Sequence, residues 1–428
     1  MNTVKGNYWR VLGHLQREGP VDKSTIAADL DLSLMTVNKI VNRLSELGLL
    51  VRCGKHSAAS GRRSELFAVN PDRFTTMGID IDESRIIICA VSAAGKPAAR
   101  KEYRYETMRE RPVSEGAIIQ GIAKYRALFI EDFDLDPERI AVVGIAPHGI
   151  VDTENGRCVL GTHLGGLIDI DLRGELEPLF HVPVFVDDPA RSLAYYEKKH
   201  GRGKGVDDFI YLFIDRGVGS GIVIDGKIHL GAQGMAGEIG HLIVKENGER
   251  CKCGNYGCLE TVASTGNIIR QVQRGIEDGV MTKILDYSGG KAGEIDLHVL
   301  KKAADYNDKF ALNVLDAIGS NLGKAVSVLV NLFDPELILL GGEGSALGEH
   351  LLQPALRVMQ NNSLNLIGEG AALMIADYDA YRISLSIAVE AFDNLFTEAV
   401  RALPEKAGVG QGSMKKAFLV DLLEGIEV

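Results

Sequence analysis

The sequence predicts an α/β protein in two parts: a small N-terminal winged helix-turn-helix, and a larger duplicated α/β body with a central cleft. Three observations predict it. Apolar residues recur at helical spacing through residues 6–47 and break off where tight turns belong. Two stretches, 76–105 and 208–230, each read as three antiparallel strands, and alternating helix and strand follow each. Charge divides along the same line. Residues 1–70 hold ten Lys and Arg against six Asp and Glu, and the remainder holds 37 against 52.

In the first part, Tyr8, Val11, Leu12 and Leu15 form the apolar stripe of a helix over residues 6–18, which Gly19-Pro20 stops. Asp22 is placed to cap a second helix with Ile26, Ala27 and Leu30 facing inward. Asp31 stands where the inter-helix turn needs a left-handed residue. Ser33 caps a third helix whose stripe is Val37, Ile40, Val41, Leu44 and Leu47, and Gly48 ends it. With that face inward, Ser33, Thr36, Asn38, Lys39, Asn42 and Arg43 point outward or to the helix start. Small polar groups, amides and cations there suit base edges and phosphates of double-stranded DNA. Leu34 and Met35 sit among them, either as contacts for thymine methyl groups or as core. Strands over LLVRC and ELFAVN then form a wing, and its loop ends in Gly61-Arg62-Arg63. Arg62 and Arg63 there suit a narrow minor groove, the alternative being a solvated hairpin tip.

The body begins after Asn70-Pro71. It runs through a strand meander, a helix near 113–131, strands at Ile140–Ala146 and Val182–Val186, and a helix from Pro189 to His200. The pattern restarts at DFIYLFID, with an Asp225-Gly226 hairpin, and continues through ELILLGG and AALMIADY to a last helix. The expected divisions are 1–70, 71–190 with a returning helix at about 382–396, 191–381, and a C-terminal extension over 397–428. In the extension, KKAFLVDLLEGIEV reads as a short amphipathic helix. No apolar run reaches the roughly 18 residues of a membrane span. The amphipathic, acid-bearing N-terminus does not read as a secretory signal, so the expected location is cytoplasmic.

Residues 231–260 concentrate the chemistry. His241, Cys251, Cys253 and Cys258 supply one imidazole and three thiolates, the ligand types of a closed, structural tetrahedral zinc site. Glu238 and Glu260 bracket that set. Clustered thiols beside a histidine point to a reducing compartment and a metal, not to disulfides.

The stretch GEIGHLIVKENGERCKCGNYGCLE resembles the signature of the ROK family of repressors and sugar kinases. The likeness extends to GIAPHGIVDTENG, VDDPARSLAYYE, DRGVGSGIVIDGKIHLG and PELILLGGEGS, and to the N-terminal module with its Gly-Arg-Arg wing. The resemblance implies an actin-like ATPase (ribonuclease H-like) body, zinc, sugar ligands, and a homodimer or homotetramer. It places Asp188 at the kinases' catalytic base, and Glu238, His241 and Glu260 at positions that meet sugar hydroxyls, with His241 chiefly a zinc ligand. Asp187 joins this sugar-side set where the family usually has Asn. His148 and His163 lie in the substrate-side loops, as ligand contacts or as solvated side chains.

The phosphate loops depart from the kinase pattern. Where the kinases turn through Asp, an apolar residue, two glycines, Thr and a basic residue, this chain has Asp80-Ile81-Asp82-Glu83-Ser84-Arg85. Where they have Gly-Thr-Gly it has Asp215-Arg216-Gly217. A carboxylate 4 Å from a phosphate costs about 4 kcal/mol at an effective dielectric of about 20, and Arg85 offsets only part of that. The expectation is therefore a sugar-responsive DNA-binding regulator with no catalytic residues, in which Asp188 is a residual kinase-type base. Its operator is double-stranded DNA, read as a palindrome by a dimer, and its effector is a sugar or sugar phosphate. The competing expectation is an ATP-dependent sugar kinase carrying a DNA-binding module.

Overall fold

A computed structural model of the chain describes residues 3–57, 63–105, 114–364, 368 and 370–401. Arg62, the loop after Pro404 and the amphipathic segment that follows it lie outside these residues, as does the Arg63 side chain.

The N-terminal module contains α1 (Thr3–Glu18), β1 (Val21–Asp22), α2 (Lys23–Asp29), α3 (Leu34–Glu46), β2 (Leu50–Ser57) and β3 (Arg63–Val69). Local chemistry sets its boundaries. Asp22 accepts from the backbone N–H of Ser24 and Thr25, both at 2.9 Å, and Ser33 Oγ accepts from Thr36 N at 3.1 Å. Each such cap contributes about 1 kcal/mol. Asp31 turns between the helices at φ 51°, and Gly48 closes α3 at φ 71°. The stripe Val37, Ile40, Val41 and Leu44 is buried against Val11, Leu12, Leu15 and Ile26. The wing ladder runs further than the residue pattern predicts, pairing Lys55 with Glu65 and Ser57 with Arg63 beyond a bulge after Arg52. β1 adds a third strand by pairing with β3.

The body is two lobes of the same design. The first sheet has the order β11-β7-β4-β5-β6, built from β4 (Thr75–Ile81), β5 (Arg85–Ser92), β6 (Pro97–Arg104), β7 (Ile140–Pro147) and β11 (Val184–Val186). The second has the order β14-β13-β12-β15-β16, built from β12 (Phe209–Ile214), β13 (Val218–Ile224), β14 (Lys227–Ile228), β15 (Leu337–Gly341) and β16 (Ala372–Ile375). In each, three strands meander antiparallel, a fourth pairs in parallel with the first of them, and a fifth pairs in parallel with the fourth. β7 and β12 are buried along their whole length, as central strands covered on both faces must be. The duplicated body with a cleft thus stands as the sequence predicts. A small third sheet does not follow from the sequence: β8 (Ile150–Asp152), β9 (Arg157–Gly161) and β10 (Leu167–Ile170) form a flap above the first lobe.

Helices α4 (Glu115–Asp132) and α5 (Leu172–Phe180) belong to the first lobe. The second lobe carries α7 (Glu260–Ala263), α8 (Thr265–Glu277), α9 (Ile284–Tyr287), α10 (Leu297–Asp305), α11 (Lys309–Phe333) and α12 (Glu349–Asn362). Helix α6 (Pro189–His200) packs against both sheets, and α13 (Arg382–Arg401) returns to the first one. Close approach there needs glycine, because a Cβ on Gly78 would stand 1.8 Å from the Ser384 carbonyl oxygen. One buried cluster runs from Leu12 and Leu15 of α1 through Phe74 to Ile387 and Phe392 of α13. The N-terminal module therefore shares its core with the body.

Candidate functional site

The cleft between the lobes holds a small chamber of about 60 Å³ and, beside it, a cavity of about 1030 Å³; His163 and Glu260 line both. Asp188 enters the small chamber from the start of α6, where it also caps the helix by accepting from Ala190 N at 2.8 Å and Arg191 N at 3.2 Å. Glu238 and His241 come from the 231–260 loop, and Glu260 opens α7, accepting from Val218 N at 3.3 Å. These four expected residues are brought together. Burial and the neighbouring Asp188 push the Glu238 carboxyl up to about 7. Burial likewise raises Asp188, with Arg191 opposing, and raises Glu260, with His241 opposing. Carboxyl groups crowded in this way gain from the hydroxyl donors that a polyol presents.

Asp187 is a correction. It is buried behind the chamber and does not line it. Its Oδ1 accepts from Thr153 Oγ1 at 2.7 Å and from Arg191 Nε at 2.8 Å. The fully buried Arg191 guanidinium also reaches the Val151 carbonyl at 3.2 Å, which ties the flap to α6. The Asp187 carboxylate is thus consumed as the counter-ion of a buried cation. The two loop histidines are not solvated either. His148 is buried with Nε2 2.8 Å from Asp80 Oδ1, and His163 is buried with no hydrogen-bond partner at Nε2 among the described residues. Burial and the facing His148 hold the His163 imidazole neutral, with a pKa down at about 3.

Residues of the phosphate-loop region pair within the chain, and Glu83, Arg216 and Glu343 of that region line the larger cavity. Asp82 Oδ1 accepts from Ser84 N at 2.6 Å, Arg85 N at 3.0 Å and, across the cleft, Arg216 at 3.3 Å. Asp215 accepts from its neighbour Arg216 N at 2.7 Å and from Tyr378 OH at 3.2 Å. Arg85 reaches back across to Glu343 at 3.2 Å. The backbone N–H groups that a phosphate loop offers to an anion are here given to internal carboxylates. Arg216 and Glu343 escape sequence reasoning because their partners lie 134 and 258 positions away.

The cysteine loop folds as a knuckle. Isolated bridges join Ile243 to Cys258 and Arg250 to Tyr256, and Cys251 N donates to Asn255 O at 2.7 Å. Gly257 sits at φ 73°, where a Cβ would meet the Lys245 carbonyl oxygen at 1.9 Å. One ligand atom from each of His241, Cys251, Cys253 and Cys258 lies within 4.8 Å of the others. Thiolates held at about 2.3 Å in a zinc tetrahedron stand about 3.8 Å apart. Cys253 Sγ and Cys258 Sγ are 3.7 Å apart, and Cys251 Sγ is 3.7 Å from His241 Nδ1. The donor set and its spacing fit zinc. His241 Nε2 faces the Glu238 carboxylate at 3.9 Å, so a metal on Nδ1 leaves the other ring nitrogen protonated and turned toward the chamber.

On α3, Lys39 and Asn42 are exposed, and Thr36, Asn38 and Arg43 are half-buried. Ser33 Oγ and Thr36 Oγ1 bond each other at 2.8 Å, Asn42 accepts from Lys23 at 2.8 Å, and Arg43 pairs with Glu46 at 3.0 Å. Leu34 and Met35 are 51% and 76% exposed, so they are not core. Among the described residues no helix is long and apolar enough to cross a membrane.

Comparison with known proteins agrees with this architecture. The ROK family model matches residues 76–376, and a MarR family model matches residues 3–63. The N-acetylglucosamine repressor of Escherichia coli O6:H1 is 30% identical over 347 residues, covering 80% of this chain and 81% of its own length. A glucokinase of Halalkalibacterium halodurans is 36% identical over 236 residues, covering 55% of this chain and 71% of its own. The crystal structure of a ROK family transcriptional regulator, a homolog of the E. coli MLC protein, superposes with a TM-score of 0.77 at 24% identity. It covers 93% of this chain and 99% of its own, a likeness of fold. The chain belongs to the ROK family, and its N-terminal module is a MarR-type winged helix.

Proposed function

We propose that the protein is a sugar-responsive transcriptional repressor whose winged helix binds operator DNA and whose body cleft binds the effector. One observation carries the reading. The residues suited to hydroxyl groups, Asp188, Glu238, His241 and Glu260, converge on one chamber, while the neighbouring phosphate loops are bridged by Asp82–Arg216 and Arg85–Glu343 ion pairs. Such a chamber presents acceptors to sugar hydroxyls, while the backbone N–H groups of Ser84, Arg85 and Arg216 are already given to carboxylates of the chain. The repressors among the relatives support the same assignment.

In this reading Ser33, Thr36, Asn38, Lys39, Asn42 and Arg43 meet the major groove, and Arg62 and Arg63 enter the adjacent minor groove. Two copies read a palindrome as a homodimer. Zinc on His241, Cys251, Cys253 and Cys258 is structural and sets the loop that carries Glu238. A sugar shifts operator affinity only as far as it binds one lobe arrangement better than the other. A panel of sugars and sugar phosphates, scored for melting temperature and for release of promoter DNA, tests this. One member raises the melting temperature and weakens the DNA complex; DNA binding untouched by every stabilising ligand overturns the coupling.

A kinase is the second reading, favoured by Asp188, which lines the chamber and which the family resemblance matches to the kinases' catalytic base. Coupled ATP consumption over hexoses and pentoses separates the two. No turnover is expected, and turnover abolished by Asp188→Asn establishes the kinase.

A further inference from the structure

The start of α3 presents a surface that the polar contacts above do not use. Leu34 and Met35 are its first two residues and are 51% and 76% exposed. The other described Leu, Ile, Val, Met and Phe side chains of the N-terminal module are buried or half-buried. An exposed apolar pair costs solubility and contributes nothing to this core. Met35 lies on one helical face with Asn38, Lys39 and Asn42, at spacings of three, four and seven residues. That face is opposite Val37, Ile40, Val41 and Leu44, which are buried.

The polar groups nearest the pair are already engaged. Ser33 Oγ accepts from Thr36 N at 3.1 Å and shares a 2.8 Å hydrogen bond with the Thr36 hydroxyl. A helix entering the major groove by its N-terminus brings its first residues to the base edges. The apolar feature a base pair shows there is the thymine 5-methyl group. An unbranched thioether and a leucine suit it by contact alone, without hydrogen-bond geometry.

We infer that Leu34 and Met35 read thymine methyl groups in the major groove of each half-site, so that operator specificity is partly apolar. The inference rests on the DNA-binding reading and adds the base chemistry that the recognition helix selects. Lys39, one turn beyond Met35 and exposed, supplies the phosphate contact that holds this register.

The test uses the full-length protein and a random-sequence duplex library. Enriched duplexes are remade with deoxyuridine for thymine, which removes only the 5-methyl group. Wild type loses about fourfold in affinity for each contacted methyl removed. The Leu34→Ala, Met35→Ala double variant binds thymine and uracil duplexes equally and keeps the salt dependence of wild type. Alanine at exposed helical positions preserves the fold, and an unchanged melting temperature checks it. Enriched sites without recurrent thymine, or a wild type indifferent to uracil, overturn the inference and leave DNA binding standing. A library that yields no enrichment removes the DNA-binding reading and this inference with it.

Discussion

His148 and Asp80 form the buried pair beside the chamber, 2.8 Å apart. Burial opposes the imidazolium, yet Asp80, with Asp215 and Asp82 behind it, raises its pKa to about 9. A histidine raised in the folded state above its ordinary 6.5 contributes stability that is fully present below pH 6.5 and is lost as pH rises through about 9. The expected outcome is a stability that falls by about 3 kcal/mol between those limits, read as a falling melting temperature. His148→Gln lowers stability at pH 6.5 and flattens this part of the profile; a wild-type profile level over the same range refutes the pairing. Residues whose work is local were legible in the sequence. Asp22, Asp31 and Ser33 reveal themselves because a cap or a left-handed turn involves neighbours within three positions. Arg191 and His148 did not, because whether a buried charge finds a counter-ion is decided by distant chain segments.

At the level of elements, the cysteine loop was legible for the same reason, since the one histidine and three cysteines that could hold a metal ion fall within eighteen residues. Zinc binding there is expected at about one ion per chain, measured by metal analysis. Cys253→Ser loses the ion and lowers the melting temperature, and an equally stable metal-free protein excludes a structural zinc. The two strand meanders were legible from apolar runs and the Asp225-Gly226 turn, where both residues have positive φ. The flap was not: its strands are three to five residues long and carry no sustained alternation. It matters because His163 follows β9 and because Arg191 anchors it through Val151. The wing was read short at its tip, since Lys55 and Ser57 are polar and join the ladder only through their partner strand.

Across the whole molecule, α6 links the chamber to the DNA-binding module. It is capped by Asp188, holds Glu390 of α13 through Ser192 at 2.6 Å, and bonds Asp393 through Tyr195 at 2.7 Å and Lys199 at 2.9 Å. Just past its end, Lys204 reaches Glu18 of α1 at 3.6 Å. Tyr195→Phe is expected to leave sugar and DNA affinities, each measured alone, close to wild type while reducing the factor by which sugar changes DNA affinity; an unchanged factor excludes α6 as the connection. The ion pairs that span the phosphate loops carry a further consequence on the proposed reading. Asp82 and Asp215 supply from within the chain the negative charge that a nucleotide would bring from outside. The resting balance of the two lobes is then inherited with the gene, and it does not follow the energy state of the cell. Such a regulator answers a single question, whether its sugar is present, and gives the same answer in a starved cell as in a growing one.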